Sequence, residues 1–492
     1  MKKVIRITAI GMVVALLAAC GGTNEPQEQR EVTGPSLTER EPSPYDFEET
    51  WMDLNGRTIT MLAVNARNLW DYDFFDPERT MNETLRVMDI LGEIGHEYNA
   101  SIEVFWHTAD GLMAMLGQNR TAGDAPFDLF ELNLSDFTVN NLWRDGHVMP
   151  VTHPEIVDII KPHDNPWRAS EFTTFGETQF AVHFRPFNTT EILRDIIVFN
   201  ESHRQTFGLP CFYDMVRQGE WTWENFDRIL NDVWVQSNNT VHPIVYWHES
   251  SIIPIFIASN NGRIAERMPN GSIQFVGDIN DNALDAMHFV QSMALRNGFI
   301  HPRAPRSTHF IQNDTMGRIM ASGEAFFAFS EYALIRNLTR HTVGYESDYD
   351  FGIIPPPVGP NGTGITTSVS SELLYHVMAD IRAPREAAAI LVAIANRTAQ
   401  RTYRVIQYES NYSLQSSGSA EMLELLLNNV VIDISRIPGQ TRQGGGQGIV
   451  AAGLRILRGE HTPIQAMQYI QSQVQVWYSY LDDLCIVHGA AN

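Results

Sequence analysis

The sequence predicts an α/β protein with more than one domain, and three observations support this. Short apolar runs alternate with segments of helical periodicity along the chain. The runs follow one another in the order strand, helix, strand, which favours parallel pairing with a right-handed crossover. The body, from about residue 46 to residue 492, is longer than one hydrophobic core normally supports. Two α/β domains are therefore expected.

The first half of the body supplies a strand–helix–strand–strand series. Thr58–Val64, Ser101–Trp106 and Phe127–Leu132 are apolar runs of strand length. Glu83–Tyr98 repeats its apolar residues every three to four positions, which predicts a helix with one buried face. The three strands are expected to pair in parallel.

The second half repeats the pattern. Thr222 has the position of an N-cap before an amphipathic helix, and the flanking Trp221 and Trp223 are interpreted as structural residues that pack the helix start. Thr462 and Gln465 form a capping box at the start of the last helix. Strands are predicted at Ile196–Asn200, Pro243–Trp247, Glu324–Tyr332 and Asp350–Pro360, and helices at Asp281–Asn297 and Pro384–Arg397.

The start of the chain predicts an export signal. A short basic stretch precedes the apolar run Ile7–Ala19, which is too short for a membrane span of about 20 residues. Leu17, Ala19 and Cys20 resemble a bacterial lipobox, so we expect residues 1–19 to be a signal peptide and Cys20 to be lipidated. An ordinary signal peptide followed by a chance cysteine is the alternative. The polar stretch 20–46 predicts a flexible tether to the outer face of the cell membrane.

Charge and cysteine content narrow the classes of partner. The formal net charge is −23, with 58 acidic and 35 basic residues, which argues against nucleic acid as a partner. Besides Cys20 the chain has only Cys211 and Cys485. Two thiols are the simpler interpretation, and a disulfide between them stays open as an alternative.

Motifs of enzyme chemistry are missing from the sequence. It contains no nucleophile elbow, zinc-protease motif, Walker A loop or dinucleotide fingerprint. The glycine run 444–448 lacks the lysine and hydroxyl of a phosphate-binding loop, and the 16 histidines are scattered. We therefore predict no catalysis, no cofactor and no metal. Carboxylates are abundant, so a secreted carbohydrate-active enzyme remains the alternative.

A set of short segments matches, in order, the motifs of one protein family. The most specific segments are Gly219–Phe226 (GEWTWENF) and Asp350–Pro355 (DFGIIP). The others are Phe127–Leu129, Gly146–Pro150, Gly176–Val182, Val198–Asn200, Phe207–Pro210, Gly323–Ala325 and Gly359–Gly362. With these segments the chain resembles the family 1 extracellular solute-binding proteins of ABC importers, the group that is similar to maltose-binding protein.

The resemblance implies a fold with two α/β lobes, each a mixed sheet flanked by helices, joined by crossing segments. The first lobe is expected to hold residues 48–187 and 325–378, and the second residues 190–322 and 382–492. The crossings then fall near Asn188, Ser322 and Asp380.

The resemblance also implies a function. A monomeric protein would capture a small polar solute, most simply a sugar, between its lobes and deliver it to ABC permease subunits. Two departures from the family pattern, Glu201 and the stretch 183–188, are expected near the cleft, so a peptide or other non-sugar solute stays open. The ligand-binding candidates follow predicted strands or precede a crossing: Trp70, Asn133, Asp136, Phe184, Arg185, Trp247, Glu249, Glu331 and Tyr332.

Overall fold

A computed structural model gives the fold. It describes residues 49–64, 90–107, 111–112, 114–116, 125–133, 142–160, 173–175, 177–182, 196–246, 249–268, 272–302, 313–330, 332–339, 347–367, 373–397, 414, 416–429 and 445–489. The predicted signal peptide, Cys20 and the tether up to residue 46 lie outside these residues. No helix in the described part of the chain combines the length and the apolar character needed to cross a membrane.

The strands and helices occupy the following bounds. The strands are β1 Arg57–Val64, β2 Ala100–His107, β3 Leu129–Asn133, β4 Val148–Met149, β5 Thr174–Phe175, β6 Thr178–Gln179, β7 Ile196–Asn200, β8 His242–Tyr246, β9 Ala265–Arg267, β10 Ile273–Phe275, β11 Ala325–Ser330, β12 Phe351–Ile354 and β13 Leu373–Met378. The helices are α1 90–97, α2 Val157–Ile160, α3 Glu201–Thr206, α4 Phe212–Arg217, α5 Trp223–Gln236, α6 Glu249–Ser259, α7 Asp281–Ala294, α8 Asn313–Ala321, α9 Tyr332–Thr339, α10 384–397, α11 Ser417–Asn428, α12 Gly445–Leu457 and α13 Pro463–Gly489.

The first sheet has the strand order β2-β1-β3-β13-β4. Strands β1, β2 and β3 are parallel, as the sequence predicts, and β13 and β4 run antiparallel to their neighbours. Asp128, which directly precedes β3, links this strand to β1. Its carboxylate accepts hydrogen bonds from the Thr60 amide (2.8 Å) and the Arg57 guanidinium (2.7 Å). The sheet is therefore mixed, and the carboxyl ends of its three parallel strands, β1, β2 and β3, lie on the same side of the sheet.

The second sheet has the strand order β12-β7-β11-β8. Strand β7 is antiparallel to both of its neighbours, while β11 and β8 are parallel. Helix α5 packs behind it as the sequence predicts: Phe226, Ile229, Leu230 and Val233 are buried, and the Thr222 hydroxyl accepts from the Asn225 amide at the helix start.

The predicted lobe boundaries are wrong in two places. Strands β11 and β12 pair with β7 and β8, so residues 325–354 belong to the second sheet and not to the first lobe. Helix α10 buries its alanine-rich face, Ala387–Ala395, in the core that includes Ile59 and Val377 of the first sheet. The helix therefore belongs to the first lobe, although we expected it in the second. An apolar run shows that a segment is buried but does not show which sheet buries it.

The predicted crossings change with these boundaries. Ser322 lies in the turn between α8 and β11, and Asp380 lies between β13 and α10, so neither residue connects the two sheets. The chain instead passes between the sheets from Val182 to Ile196, from Ile354 to Leu373 and from Arg397 to Leu414. Asn188 falls within the first of these connections, outside the described residues.

The two lobes also meet through a side-chain contact between two smaller, two-stranded sheets, β9–β10 and β5–β6. The guanidinium of Arg267, in β9 of the second lobe, lies 5.0 Å from the ring centroid of Phe175, in β5 of the first lobe. The Phe175 ring is fully buried beside Trp143 and Phe180. A cation over an aromatic face is favourable when both are shielded from water, so this contact helps to hold the two lobes together.

Candidate ligand-binding site

The carboxyl ends of the parallel strands in the first sheet meet at one edge. Val64 pairs with His107, and Asn133, at the end of β3, lies opposite Leu373 at the start of β13. Ligands of open α/β sheets bind beyond the carboxyl ends of the strands. This edge, which we call the first edge, is therefore the candidate ligand-binding edge of the first lobe.

The second sheet has a corresponding edge. Tyr246 at the end of β8 pairs with Phe329, and Ser330 at the end of β11 pairs with Ile196 at the start of β7. Ile354 ends β12 beside Ile197, at the same edge. We call this the second edge. Three strands end there and the first connection between the sheets enters there, so several loops converge on it.

Most of the predicted ligand-binding residues belong to the segments that follow these strand ends. Asn133 is the last residue of β3, and Glu249 is the first residue of α6, which follows β8 after two residues. The remaining six candidates apart from Tyr332 lie outside the described residues and stay predictions: Trp70, Asp136, Phe184, Arg185, Trp247 and Glu331.

Tyr332 corrects the prediction. Its side chain is 0% exposed and belongs to the main hydrophobic core, where it begins α9 directly after the second edge. A ligand would have to displace its neighbours before it could stack on this ring. The expected strand Glu324–Tyr332 in fact ends at Ser330, and the turn into α9 directs Tyr332 into the core.

Glu201 also lies elsewhere than expected. It begins α3 after the carboxyl end of β7, and β7 runs away from the second edge, so Glu201 is at the opposite end of the sheet. Its carboxylate accepts two hydrogen bonds of 2.6 Å from Arg204. The departure from the family pattern at Glu201 therefore concerns a local ion pair and gives no information about the ligand.

A buried polar cluster stands just behind the first edge, and the sequence reasoning missed it. Glu131, in β3, is 0% exposed and forms a hydrogen bond with the Tyr375 hydroxyl across the β3–β13 pair. Burial, reinforced by the negative charge of Glu131, raises the pKa of Tyr375 well above its usual value, so the phenol stays a hydrogen-bond donor. The signal that could have found it is a lone glutamate inside an apolar strand.

His376 follows Tyr375 in β13, so its side chain lies on the opposite face of that strand. Its ring stacks on Phe130 at 4.4 Å, and the Trp143 indole Nε1 donates to its Nε2 at 3.1 Å. Burial lowers the pKa of His376 to about 3, so the ring is neutral at physiological pH. Because Nε2 accepts from Trp143, the ring proton is on Nδ1. Through these contacts His376 joins β13 to Phe130 of β3 and to Trp143 behind the first edge.

Within the described residues, no group of three or more His, Cys, Asp or Glu side chains is arranged to hold a metal ion. Cys211 is half-buried, and the side chain of Cys485 lies outside the described residues, so whether these two cysteines pair stays a prediction.

Comparison with known proteins establishes the fold. No protein-family model matches the chain, and no curated protein matches its sequence. Among solved structures, a cyclo/maltodextrin-binding protein in complex with maltotetraose superposes with a TM-score of 0.55 at 14% identity, over 86% of this chain and 98% of the other. An ABC substrate-binding protein from Listeria monocytogenes in complex with cycloalternan gives 0.53 at 13% identity, over 86% and 99%. UspC from M. tuberculosis gives 0.55 at 12% identity, over 85% and 99%.

The chain shares the two-lobed fold of these three solved binding proteins, which we call the binding-protein fold. The match covers nearly the whole length of each solved protein, so both sheets are part of it. The first sheet forms one lobe of the binding-protein fold and the second sheet the other, joined by the three connections described above. The first and second edges are the places in this fold where loops from each lobe gather.

Proposed function

We propose that this protein is the extracytoplasmic solute-binding component of an ABC importer and that it captures a sugar or oligosaccharide between its lobes. The observation that carries the proposal is the fold, a two-lobed binding-protein fold whose similar structures include complexes with maltotetraose and cycloalternan. The convergence of parallel strand ends at one edge of each sheet supports it, because ligands of α/β sheets bind beyond such strand ends and each lobe has one such edge.

The mechanism follows from differential affinity. A ligand that touches both lobes stabilises the closed arrangement over the open one, and the importer recognises the closed form. Sugar recognition combines aromatic faces, which stack on the C–H patches of the ring, with polar side chains that bind the hydroxyls. Trp70 and Trp247 are our choice for the aromatic faces, one from each lobe.

Isothermal titration calorimetry with maltotetraose and with cycloalternan tests the proposal directly. Trp70→Ala and Trp247→Ala should each weaken binding by about 1–3 kcal/mol, roughly ten- to hundredfold, while thermal melts without ligand stay unchanged. Trp51→Ala is the matched control, because Trp51 is 61% exposed and precedes the start of β1, at the end of the first sheet away from the first edge. Normal binding by both test variants, or loss of folding in both, would show that the site is wrong.

We propose no enzymatic activity. Incubation of the purified protein with oligosaccharides should return them unchanged, as measured by chromatography over many hours. Steady formation of shorter products would instead favour the carbohydrate-active enzyme, and the search would turn to a pair of carboxylates at glycosidase spacing.

The anchor is the third part of the proposal. With Cys20 lipidated, the protein should fractionate with membranes through its tether, and Cys20→Ser should release it in folded form. The folded body begins independently of the anchor, since Glu49 is already fixed by hydrogen bonds from Tyr98 (3.1 Å) and Asn396 (2.5 Å). Retention of the Ser variant in the membrane fraction would contradict the lipobox. Sedimentation should show a monomer.

A further inference from the structure

Helix α11 contacts two of the three connections between the lobes, one at each of its ends. The connection from Arg397 reaches the second lobe at Leu414, which is buried, and enters α11 through its N-cap Ser416. The connection from Ile354 passes the other end of the same helix, where the Thr367 amide donates to the carbonyl oxygen of Asn429 at 3.1 Å. Both connections are therefore tied to α11, one at each end of the helix.

A network of buried hydroxyl groups fixes α11 to the second sheet. The Tyr213 hydroxyl, from α4, lies 2.8 Å from the Ser419 Oγ and 3.1 Å from the Ser416 Oγ. The Ile353 amide of strand β12 donates to the same Ser419 Oγ at 3.2 Å. Ser419 is 1% exposed, so these bonds form away from water, where a lost partner is costly.

Two glycines make room for Tyr213. A Cβ at Gly352 of β12 would lie 2.3 Å from the Tyr213 hydroxyl, and a Cβ at Gly418 of α11 would lie 2.4 Å from its ring. A side chain at either position would push the ring out of place. Burial raises the pKa of Tyr213 to about 12, which keeps the hydroxyl protonated. Strand, ring and helix are thus in direct contact at this point.

We propose that the Tyr213–Ser416–Ser419 network is a positioning device that fixes the range of lobe orientations and thereby sets ligand affinity. Closure has to bend the three connections, since they are the covalent links between the lobes. If α11 is held firmly, two of these connections bend about fixed ends. If α11 is loosened, the unliganded lobes sample a wider range, and a ligand must remove more conformational entropy on closing. The claim about ligand affinity rests on the proposed function, whereas the claim about lobe orientations does not.

The test compares two buried serines of the second lobe. Ser419→Ala removes the acceptor of the Ile353 amide, whereas Ser237→Ala removes the acceptor of the Val241 amide, also at 3.2 Å. Ser237 is 7% exposed and lies at the end of α5, away from the connections. Both variants should lose thermal stability to a similar extent. Only Ser419→Ala should change the behaviour of the lobes.

Lobe orientation is measured by double electron–electron resonance between spin labels on Glu93→Cys in the first lobe and Asp285→Cys in the second, both exposed helix positions, with the three native cysteines replaced by serine. Ser419→Ala should broaden the distance distribution of the unliganded protein and weaken maltotetraose binding on the order of fivefold. Tyr213→Phe, which keeps the ring, should do the same if Ser419→Ala does not fold.

A distance distribution in Ser419→Ala or Tyr213→Phe as narrow as that in Ser237→Ala overturns the positioning role. The two proposals can fail separately, because the distance measurement needs no ligand. Absence of maltotetraose binding in the unmutated protein would count against the sugar, while a broadened distribution in Ser419→Ala would still support the positioning device.

Discussion

The indole Nε1 of Trp221 donates a hydrogen bond of 2.7 Å to the carbonyl oxygen of Pro355. The backbones continue the contact on both sides, since the Val358 amide donates to Trp221 O (2.9 Å) and the Trp223 amide donates to Val358 O (3.1 Å). The start of helix α5 and the proline segment after β12 are therefore one structural unit. Prolines cannot extend a sheet, so the tryptophans supply the partners that a strand neighbour would otherwise provide.

Removing this bond should destabilise the second lobe. In Trp221→Phe the Pro355 carbonyl loses its donor while Trp221's site, 1% exposed, stays filled by an aromatic ring. We expect the free energy of unfolding to fall by about 1–3 kcal/mol, measured by urea denaturation.

Trp51→Phe provides the control for this prediction. Trp51 also donates its indole N–H to a backbone carbonyl, Glu97 O at 3.0 Å, but it is 61% exposed, so water replaces the lost bond. The free energy of unfolding should change by less than about 0.5 kcal/mol. Equal losses in the two variants would mean that the Trp221–Pro355 bond has no special role.

The sequence predicted these local features well, and the reason is physical. Thr222 and the pair Thr462–Gln465 were identified as caps because hydroxyl and amide side chains satisfy the open amides of a helix start, and the hydrogen bonds are present. The interpretation of Trp221 and Trp223 as structural is confirmed by their burial. The parallel pairing of β1, β2 and β3 follows from the helix between the first two strands.

Long-range features were predicted less well. The sequence of β11 is apolar on both faces, which is compatible with the centre of either sheet, so its pairing with β7 and β8 had to come from the structure. The Glu131–Tyr375 hydrogen bond joins residues that are far apart in sequence, and the local pattern of neither strand predicts that the two strands pair. The prediction that Tyr332 contacts the ligand was wrong because the strand before it ends at Ser330, two residues earlier than its composition suggests.

Asp128 should be essential for the first lobe. Its carboxylate accepts from the Thr60 amide and from Arg57, and only its negative charge satisfies both donors. Asp128→Asn places an amide N–H against one of them, so we expect a loss of about 2–3 kcal/mol in the free energy of unfolding. Asp158→Asn is the control, because the Asp158–Arg385 pair is largely exposed to solvent and should leave stability unchanged. Urea denaturation of both variants distinguishes the two cases, and a stable Asp128→Asn protein would contradict the role assigned to Asp128.

His376 should make the protein less stable in mild acid. Burial lowers its pKa in the folded state from 6.5 to about 3, whereas in the unfolded chain the imidazole has its ordinary value. Above pH 6.5 both states are neutral at this residue and the pH has no effect. As the pH falls below 6.5, the unfolded chain binds a proton that the folded protein cannot accept until about pH 3, so the free energy of unfolding decreases across this window.

The decrease from one such group approaches about 1.4 kcal/mol for each pH unit within the window. His376→Gln removes the titrating ring, yet its amide oxygen still accepts from the Trp143 indole in the place of Nε2. The variant should therefore be less stable at pH 7 through imperfect packing against Phe130, but its stability should fall less steeply between pH 7 and pH 5. Urea titrations at the two pH values measure the slopes, and the difference between the slopes should amount to about 2 kcal/mol over the interval. Parallel slopes would show that His376 is protonated, or accessible to protons, in the folded protein. The burial of the strand ends behind the first edge would then be less complete than the structure indicates.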